Sequence, residues 1–195
     1  EDAIFMVPNL NSKGFDTIVN SRISPDQPLW FQIYVNPDRD IVLDQIKACE
    51  AFGMKALCIT VDSAVAGKRE RDLRNKIKRQ IEKDLAAAKA ATGKARKAGT
   101  YANRDPALNW KDVKWFQQNT KMKIVIKGVQ TGLDAVEAAK AGCHAVILSN
   151  HGGRNLDTSR SGIEILPEVM RDLREAGLDK KIDVFVDGGI RRGTD

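Results

Sequence analysis

Apolar residues gather into six short runs rich in β-branched side chains, at residues 4–8, 30–35, 56–62, 123–129, 145–150 and 183–187. Most are continuous rather than alternating, the pattern of parallel strands buried on both faces. Between several of them the period lengthens to that of a helix. Residues 40–52 set Val42, Leu43, Ile46 and Cys49 near one face, with Gly53 as the stop. Residues 131–141 do the same with Leu133, Val136 and Ala139, before Gly142. The two units are self-similar: EAFGMKALCITVD and AKAGCHAVILSNH align Gly53 with Gly142 and Ala56 with Ala145. Repeated helix-then-strand units predict a parallel α/β architecture. No GxGxxG follows a strand, so a dinucleotide-binding doubly wound sheet is not indicated. A (β/α)8 TIM barrel needs eight strands and typically about 250 residues. Six strands in 195 residues therefore predict an incomplete barrel, about six of eight strands.

Composition narrows this little: 42% hydrophobic and 30% charged residues describe an ordinary globular chain. Residues 1–195 are read as a single domain, long enough to bury about 70% of its unfolded surface. No apolar run nears the roughly 18 residues of a membrane span. The chain opens on Glu1 and Asp2, so no basic, apolar leader is expected. Cys49, Cys58 and Cys143 are odd in number and lie in or beside apolar segments, which predicts buried free thiols.

Charge changes the picture more. The net charge is +6, yet residues 68–99 hold twelve Lys/Arg against four acids, a local +8 that leaves the rest at −2. The basic character belongs to one Lys/Ala-rich insertion at about 73–105, with LAAAKAATGKARKAG at its heart. It reads as a solvated surface segment, or as a docking element for an acidic partner or an anionic membrane. Nucleic acid is the weakest of these, because no aromatics interleave the charges.

Candidate chemistry gathers at the carboxyl ends of the strands. Gln32 and Tyr34 are two apart, so they share one side of a strand, and Thr60 and Asp62 repeat that spacing. Lys127 closes IVIK, Ser149 and His151 flank Asn150, and Asp187 ends VFVD. In a barrel all of these converge at the C-terminal mouth, where barrel active sites are built. His151, in SNHGGR beside two glycines, reads as a catalytic acid/base or a satisfied structural histidine. Asp62 could orient it and stabilise its imidazolium, or merely cap a loop. Lys127 is costly to bury unless it serves an anion. Arg154 offers a planar fork for a carboxylate, and Arg69 is either a second such cation or one more surface charge. His144 beside its apolar run reads as structural. In DGGIRRGTD, backbone amides with Arg191 or Arg192 could hold a phosphate, or the segment is a plain turn. There is no GxSxG elbow, no phosphate-binding GxxxxGK[ST], and no CxxC pair for zinc.

WFQIYV, ITVD followed by GKRERD, IVIKGV, LSNHGGR and VFVDGGIRRGTD stand in the order found in the FMN-dependent α-hydroxy acid oxidases and dehydrogenases. The chain resembles that family along nearly its whole length, and most of all its cytochrome-linked L-lactate dehydrogenase branch, which carries a long charged segment after the same strand. The resemblance implies a (β/α)8 barrel with FMN at its mouth, and the first and last strands absent here. By motif position it implies that Gln32, Tyr34, Thr60, Lys127 and Ser149 contact the flavin. Asp187, Gly188, Gly189, Ile190 and Arg191 would then hold its ribityl phosphate arm. Lys127 would stabilise negative charge on the flavin. Tyr34, Arg69, His151 and Arg154 would bind a small 2-hydroxy acid, with His151 as base, Asp62 its partner and Tyr34 beside it.

The implied reaction is oxidation of an L-2-hydroxy acid to the 2-keto acid. MVPNLNS offers Pro8 where relatives often place a flavin-contacting serine. It also places Leu10 at the substrate side-chain pocket, favouring lactate over glycolate. The implied partner is a cytochrome or haem domain as electron acceptor, with a homo-oligomer at full length. A mitochondrial address is favoured, with peroxisomal and cytoplasmic ones open. Two alternatives stand beside this reading: an oxygen-reducing glycolate- or mandelate-type oxidase, and an inactive fragment acting as a binding module through its basic insertion.

Overall fold

The computed structural model describes residues 3–65, 67 and 103–195. Arg69 and the basic insertion as far as residue 102 lie outside the described residues.

Six parallel strands form one sheet in sequence order: β1 (Phe5–Pro8), β2 (Leu29–Ile33), β3 (Ala56–Thr60), β4 (Lys123–Val129), β5 (Ala145–Leu148) and β6 (Asp183–Val186). The helices are α1 (Phe15–Asn20), α2 (Arg39–Ala51), α3 (Trp110–Asn119), α4 (Gly132–Lys140) and α5 (Gly162–Glu175). Parallel neighbours joined through helices give the barrel arrangement expected from the sequence, with six strands of it present among the described residues.

The sheet curls. Trp30 on β2 and Phe185 on β6 meet edge to face at 5.3 Å between ring centroids. In a flat sheet, strands four places apart would stand about 19 Å from each other, beyond the reach of two side chains. The curl separates two apolar layers. Ala56, Cys58, Val125, Ala145 and Ile147 line the inner face, with Met6, Trp30 and Phe185 against them. Phe31, Ile33, Leu57, Ile59, Ile124, Ile126, Val146 and Leu148 point outward into the helix layer. Small residues on the central inner positions allow the tight curvature, and larger ones fill the wider outer layer.

Local signals fix the helices. The Asp38 side chain caps α2 by accepting from the backbone N–H of Asp40, and Thr131 caps α4 by accepting from that of Asp134. Asn109 with Asp112, and Ser161 with Glu164, make reciprocal capping boxes for α3 and α5. Gly53 and Gly142 follow α2 and α4 at φ 73° and 78°, as the stops expected from sequence.

Two details differ from the periodicity reading. In α2 the buried set is Val42, Gln45, Ile46 and Cys49, with Leu43 only half-buried. In α4 Leu133 is 68% exposed, and the buried face is Gly132, Ala135, Val136 and Ala138. The cause is close helix packing: α5 lies so near that a Cβ at Gly132 would fall inside the Asp172 carboxylate. Small residues, not the leucine, therefore face it. The last residues of the insertion also belong to the barrel. Asp105 donates its N–H to Val35 O at 2.8 Å, and its carboxylate pairs with Arg39 at 2.8 Å.

Cys49, Cys58 and Cys143 are free and buried, and burial pushes each thiol up to about 12. They should stay silent towards a thiol reagent at pH 8 until denaturant is added; fast labelling of the native protein would contradict their burial. Phe31, fully buried and edge-on to Phe15 at 5.3 Å, anchors the outer layer. Phe31→Ala should cost about 3–5 kcal/mol in urea unfolding, and a loss below about 1 kcal/mol would contradict that placement.

Candidate active site

Strand alternation sets the site. Residues 30, 56, 125, 147 and 185 face inward, so Gln32 and Tyr34, Thr60 and Asp62, Lys127, Ser149 and His151, and Asp187 share that inward parity. Register places them at one level. Pro8 pairs with Gln32 and Thr60 with Lys127, while Lys127 pairs with Ile147, two residues before Ser149. Tyr34, Asp62, Ser149, His151 and Asp187 lie just beyond the strand ends, on the loops of the C-terminal mouth.

The curl then joins strands that are not neighbours. Tyr34 follows β2 and His151 follows β5, yet the Tyr34 hydroxyl lies 3.2 Å from His151 Nε2. On the other edge of the ring, Nδ1 lies 2.8 Å from Asp62 Oδ1. A carboxylate accepts, so Nδ1 carries a proton, and in the neutral ring Nε2 presents its lone pair towards Tyr34. Both members of this pair are almost fully enclosed. His151 itself has φ 58°, a left-handed conformation that costs a non-glycine residue about 1–3 kcal/mol. It is held there by its own N–H donating to Ser149 Oγ at 3.0 Å and by the turn through Gly152 and Gly153. The Asn155 side-chain amide donates to Asp62 O at 2.7 Å, tying the loop after β3 to the loop after β5.

A second cluster adjoins the first. Lys127 Nζ donates to Ser149 Oγ at 3.1 Å and pairs with Asp187 Oδ2 at 2.8 Å, while Gln130 donates its side-chain amide to Ser149 O. A third is a buried polar chain. Gln45 Nε2 donates to Asn9 Oδ1 at 2.7 Å, Asn9 N–H donates to Gln32 Oε1 at 3.2 Å, and Gln32 Nε2 donates to Thr60 Oγ1 at 2.7 Å. This chain fixes which end of the Gln32 amide is which. It also leaves the Thr60 hydroxyl proton to be donated elsewhere.

Of the other sequence candidates, Arg154 sits against His151: its Nε donates to His151 O at 2.9 Å, and no carboxylate among the described residues pairs with it. Gly188, Gly189, Ile190 and Arg191 form an exposed turn after Asp187, with both glycines at positive φ. There the Arg191 and Arg192 N–H groups both donate to Asp195 Oδ2, at 2.7 and 2.9 Å. Leu10 is 52% exposed just beyond β1. His144, read from the sequence as structural, precedes β5 at the end of the sheet away from this mouth. Ile124 N–H donates to its Nδ1 at 3.2 Å, and partial burial with Lys123 nearby lowers its pKa.

Sequence reasoning missed Arg104, whose guanidinium stacks over the Tyr34 ring at 4.4 Å. It sits at the edge of a basic run where no spacing distinguishes it. Asn9, Gln45, Gln130 and Asn155 were missed too, since single amides in loops and helices carry no pattern. Three buried polar atoms have no partner among the described residues: Asp62 Oδ2, Arg104 Nε and Asp187 Oδ1. All three lie at this mouth. Unsatisfied buried groups are rare in a native fold and concentrate where a ligand completes them.

No helix among the described residues is long and apolar enough to cross a membrane. Comparison with known proteins agrees with the geometry. The FMN-dependent dehydrogenase family model matches residues 1–195. The "L-lactate dehydrogenase (cytochrome)" of Wickerhamomyces anomalus is 46% identical over 100% of this chain, and that of Saccharomyces cerevisiae 43% identical over 97%. An L-lactate oxidase of Nostoc is 36% identical over 97% of this chain. The solved flavin-binding domain of baker's yeast flavocytochrome b2 superposes with a TM-score of 0.82 at 42% identity, over 98% of this chain and 44% of that one. A solved mandelate oxidase gives 0.73 at 31% identity, over 97% of this chain and 50% of that one. The chain spans 34% and 32% of the length of the two cytochrome-linked relatives, and 53% of the Nostoc oxidase. With its motifs, its curled parallel sheet and a family match from end to end, the chain belongs to the FMN-dependent dehydrogenase family.

Proposed function

We propose that this chain carries the central part of the active site of an FMN-dependent L-2-hydroxy acid dehydrogenase, with L-lactate as the favoured substrate. The observation that carries the reading is the Tyr34–His151–Asp62 relay at the barrel mouth. A histidine held by a carboxylate on one nitrogen, with the other turned to a hydroxyl at the mouth, is built to take a proton.

The mouth suits FMN. Asp187 Oδ1 is a buried acceptor without a donor among the described residues, which suits a ribityl hydroxyl. The Arg191 and Arg192 amides already grip a carboxylate, a stand-in for the phosphate end. Gln32, Tyr34, Thr60, Lys127 and Ser149 would hold the ring system, and Asp187, Gly188, Gly189, Ile190 and Arg191 the arm. When bound, FMN supplies the two-electron acceptor that no side chain of the protein provides.

The protein's own groups do the rest. Arg154 is anchored through Nε, which leaves its terminal nitrogens as a fork for the substrate carboxylate. Arg69 is assigned as the second carboxylate clamp on its sequence motif. Tyr34 donates towards the substrate oxygens, and His151 Nε2 takes the substrate proton. Asp62 stabilises the imidazolium that results. Lys127 would hold a fixed positive charge beside bound FMN and so favour its negatively charged form. Leu10 lines the space for the substrate side chain, and a short apolar wall suits lactate.

A haem-bearing domain or cytochrome is the proposed electron acceptor, supported by the two cytochrome-linked relatives. An oxygen-reducing oxidase is the second reading, favoured by the Nostoc relative. Peroxide separates the two: a dehydrogenase should release far less than one equivalent per 2-keto acid formed, and an oxidase one.

His151→Gln should lower turnover of L-lactate with ferricyanide by about 10²–10⁴-fold, while FMN binding, followed by flavin fluorescence, stays unchanged. Near-normal turnover would remove His151 as the base. Lys127→Met should instead weaken FMN binding itself, since it removes the charge shared between Ser149 and Asp187.

A further inference from the structure

Strand β4 carries an irregularity beside the site. Lys127 pairs with Ile147, but the next pair is Val129 with Leu148, so Gly128 is one extra residue bulged out of the ladder. Its φ is +104°, a conformation that glycine adopts and other residues resist. The space a side chain would need there is taken. A Cβ on Gly128 would lie 2.5 Å from Asp62 Cγ, 2.6 Å from Asp62 Cβ and 2.8 Å from Asp62 Oδ2.

We propose that Gly128 is the positioning residue of the Asp62–His151 pair: its bulge leaves an empty Cβ position in which the Asp62 carboxylate rests, with Oδ1 aimed at His151 Nδ1. This rests on the reading of His151 as the base.

The neighbouring contacts make the seat demanding. Val61 N–H donates to Lys127 O at 2.9 Å, which ties the residue before Asp62 to the residue before Gly128. Asn155 holds the Asp62 carbonyl from the other side. Rotation of the Asp62 side chain cannot make room for a methyl group, because Asp62 Cβ is itself within 2.6 Å of that position. The loop must move instead, and Asp62 Oδ1 moves with it, away from a 2.8 Å contact. A misplacement of about 1 Å in a catalytic array can cost about 10²-fold in rate. Gly128 touches no reacting group in this scheme and acts through Asp62.

The test is a two-by-two set: wild type, Gly128→Ala, Asp62→Ala and the double variant, read by turnover and by proton NMR of the histidine ring. The chain has two histidines. His144 accepts at Nδ1 from Ile124 N–H, so a hydrogen-bonded Nδ1 proton reports His151 alone. Gly128→Ala should lose that resonance and about 10²-fold in kcat. The double variant should be no slower than Asp62→Ala, since with the carboxylate gone the methyl group displaces nothing that matters to the base.

Losses that multiply in the double variant would overturn the proposal and assign Gly128 to Lys127 or to the strand as a whole. Retention of the resonance in Gly128→Ala would overturn it as well. If Gly128→Ala does not fold, Asp62→Ala/Gly128→Ala still decides. A double variant that folds and matches Asp62→Ala supports the seat, and one that remains unfolded contradicts it. The NMR arm stands without turnover, so loss of the resonance in a protein that oxidises no hydroxy acid would fault the functional reading and not the seat.

Discussion

The curl of the sheet is the constraint from which the rest follows. Strands three places apart in a flat parallel sheet would stand about 14 Å from each other, and no histidine after β5 could then meet a tyrosine after β2. Curvature is possible because the inner face is narrow: Ala56, Cys58 and Ala145 leave room at its centre, and Trp30 and Phe185 close over them. The outer layer, with Phe31, Phe116, Ile165 and Leu173 fully enclosed, is what holds that curvature in place. Packing on one face of the sheet therefore decides the chemistry at its end.

The mouth is organised against local stability. His151 sits in a left-handed conformation, and Asp62 Oδ2, Arg104 Nε and Asp187 Oδ1 are buried without partners among the described residues. Each such group costs free energy unless something completes it. The surrounding bonds over-determine the arrangement, through Ser149 to the His151 backbone and Asn155 to Asp62, with the Gln45–Asn9–Gln32–Thr60 chain beside them. A mouth held this firmly from outside is pre-set for a ligand rather than shaped by one.

Much of this was legible in the sequence. Continuous apolar runs marked all six strands to within one or two residues, and polar residues at their ends marked the mouth. Gln32, Tyr34, Thr60, Asp62, Lys127, Ser149, His151 and Asp187 carried a signal because each lies near or just beyond the carboxyl end of a strand, where packing alone explains them poorly. The helix faces were less legible. Leu133 looked like core by spacing, but the close approach of α5 demanded Gly132 and Ala135 there. Arg104 and Gln45 were invisible, because their roles come from long-range contacts, to Tyr34 and Asn9, that no local pattern encodes. Gly128 was read only as part of IVIKGV; that its missing side chain is what Asp62 fills depends on the bulge and on the neighbouring loop together.

The most direct measurement of the central claim is anaerobic addition of L-lactate to the FMN-loaded protein while the flavin's visible absorption is recorded. The account predicts that the absorption bleaches and that one equivalent of pyruvate appears per flavin. Flavin that binds to the protein and keeps its visible spectrum unchanged with L-lactate and with other L-2-hydroxy acids would contradict it.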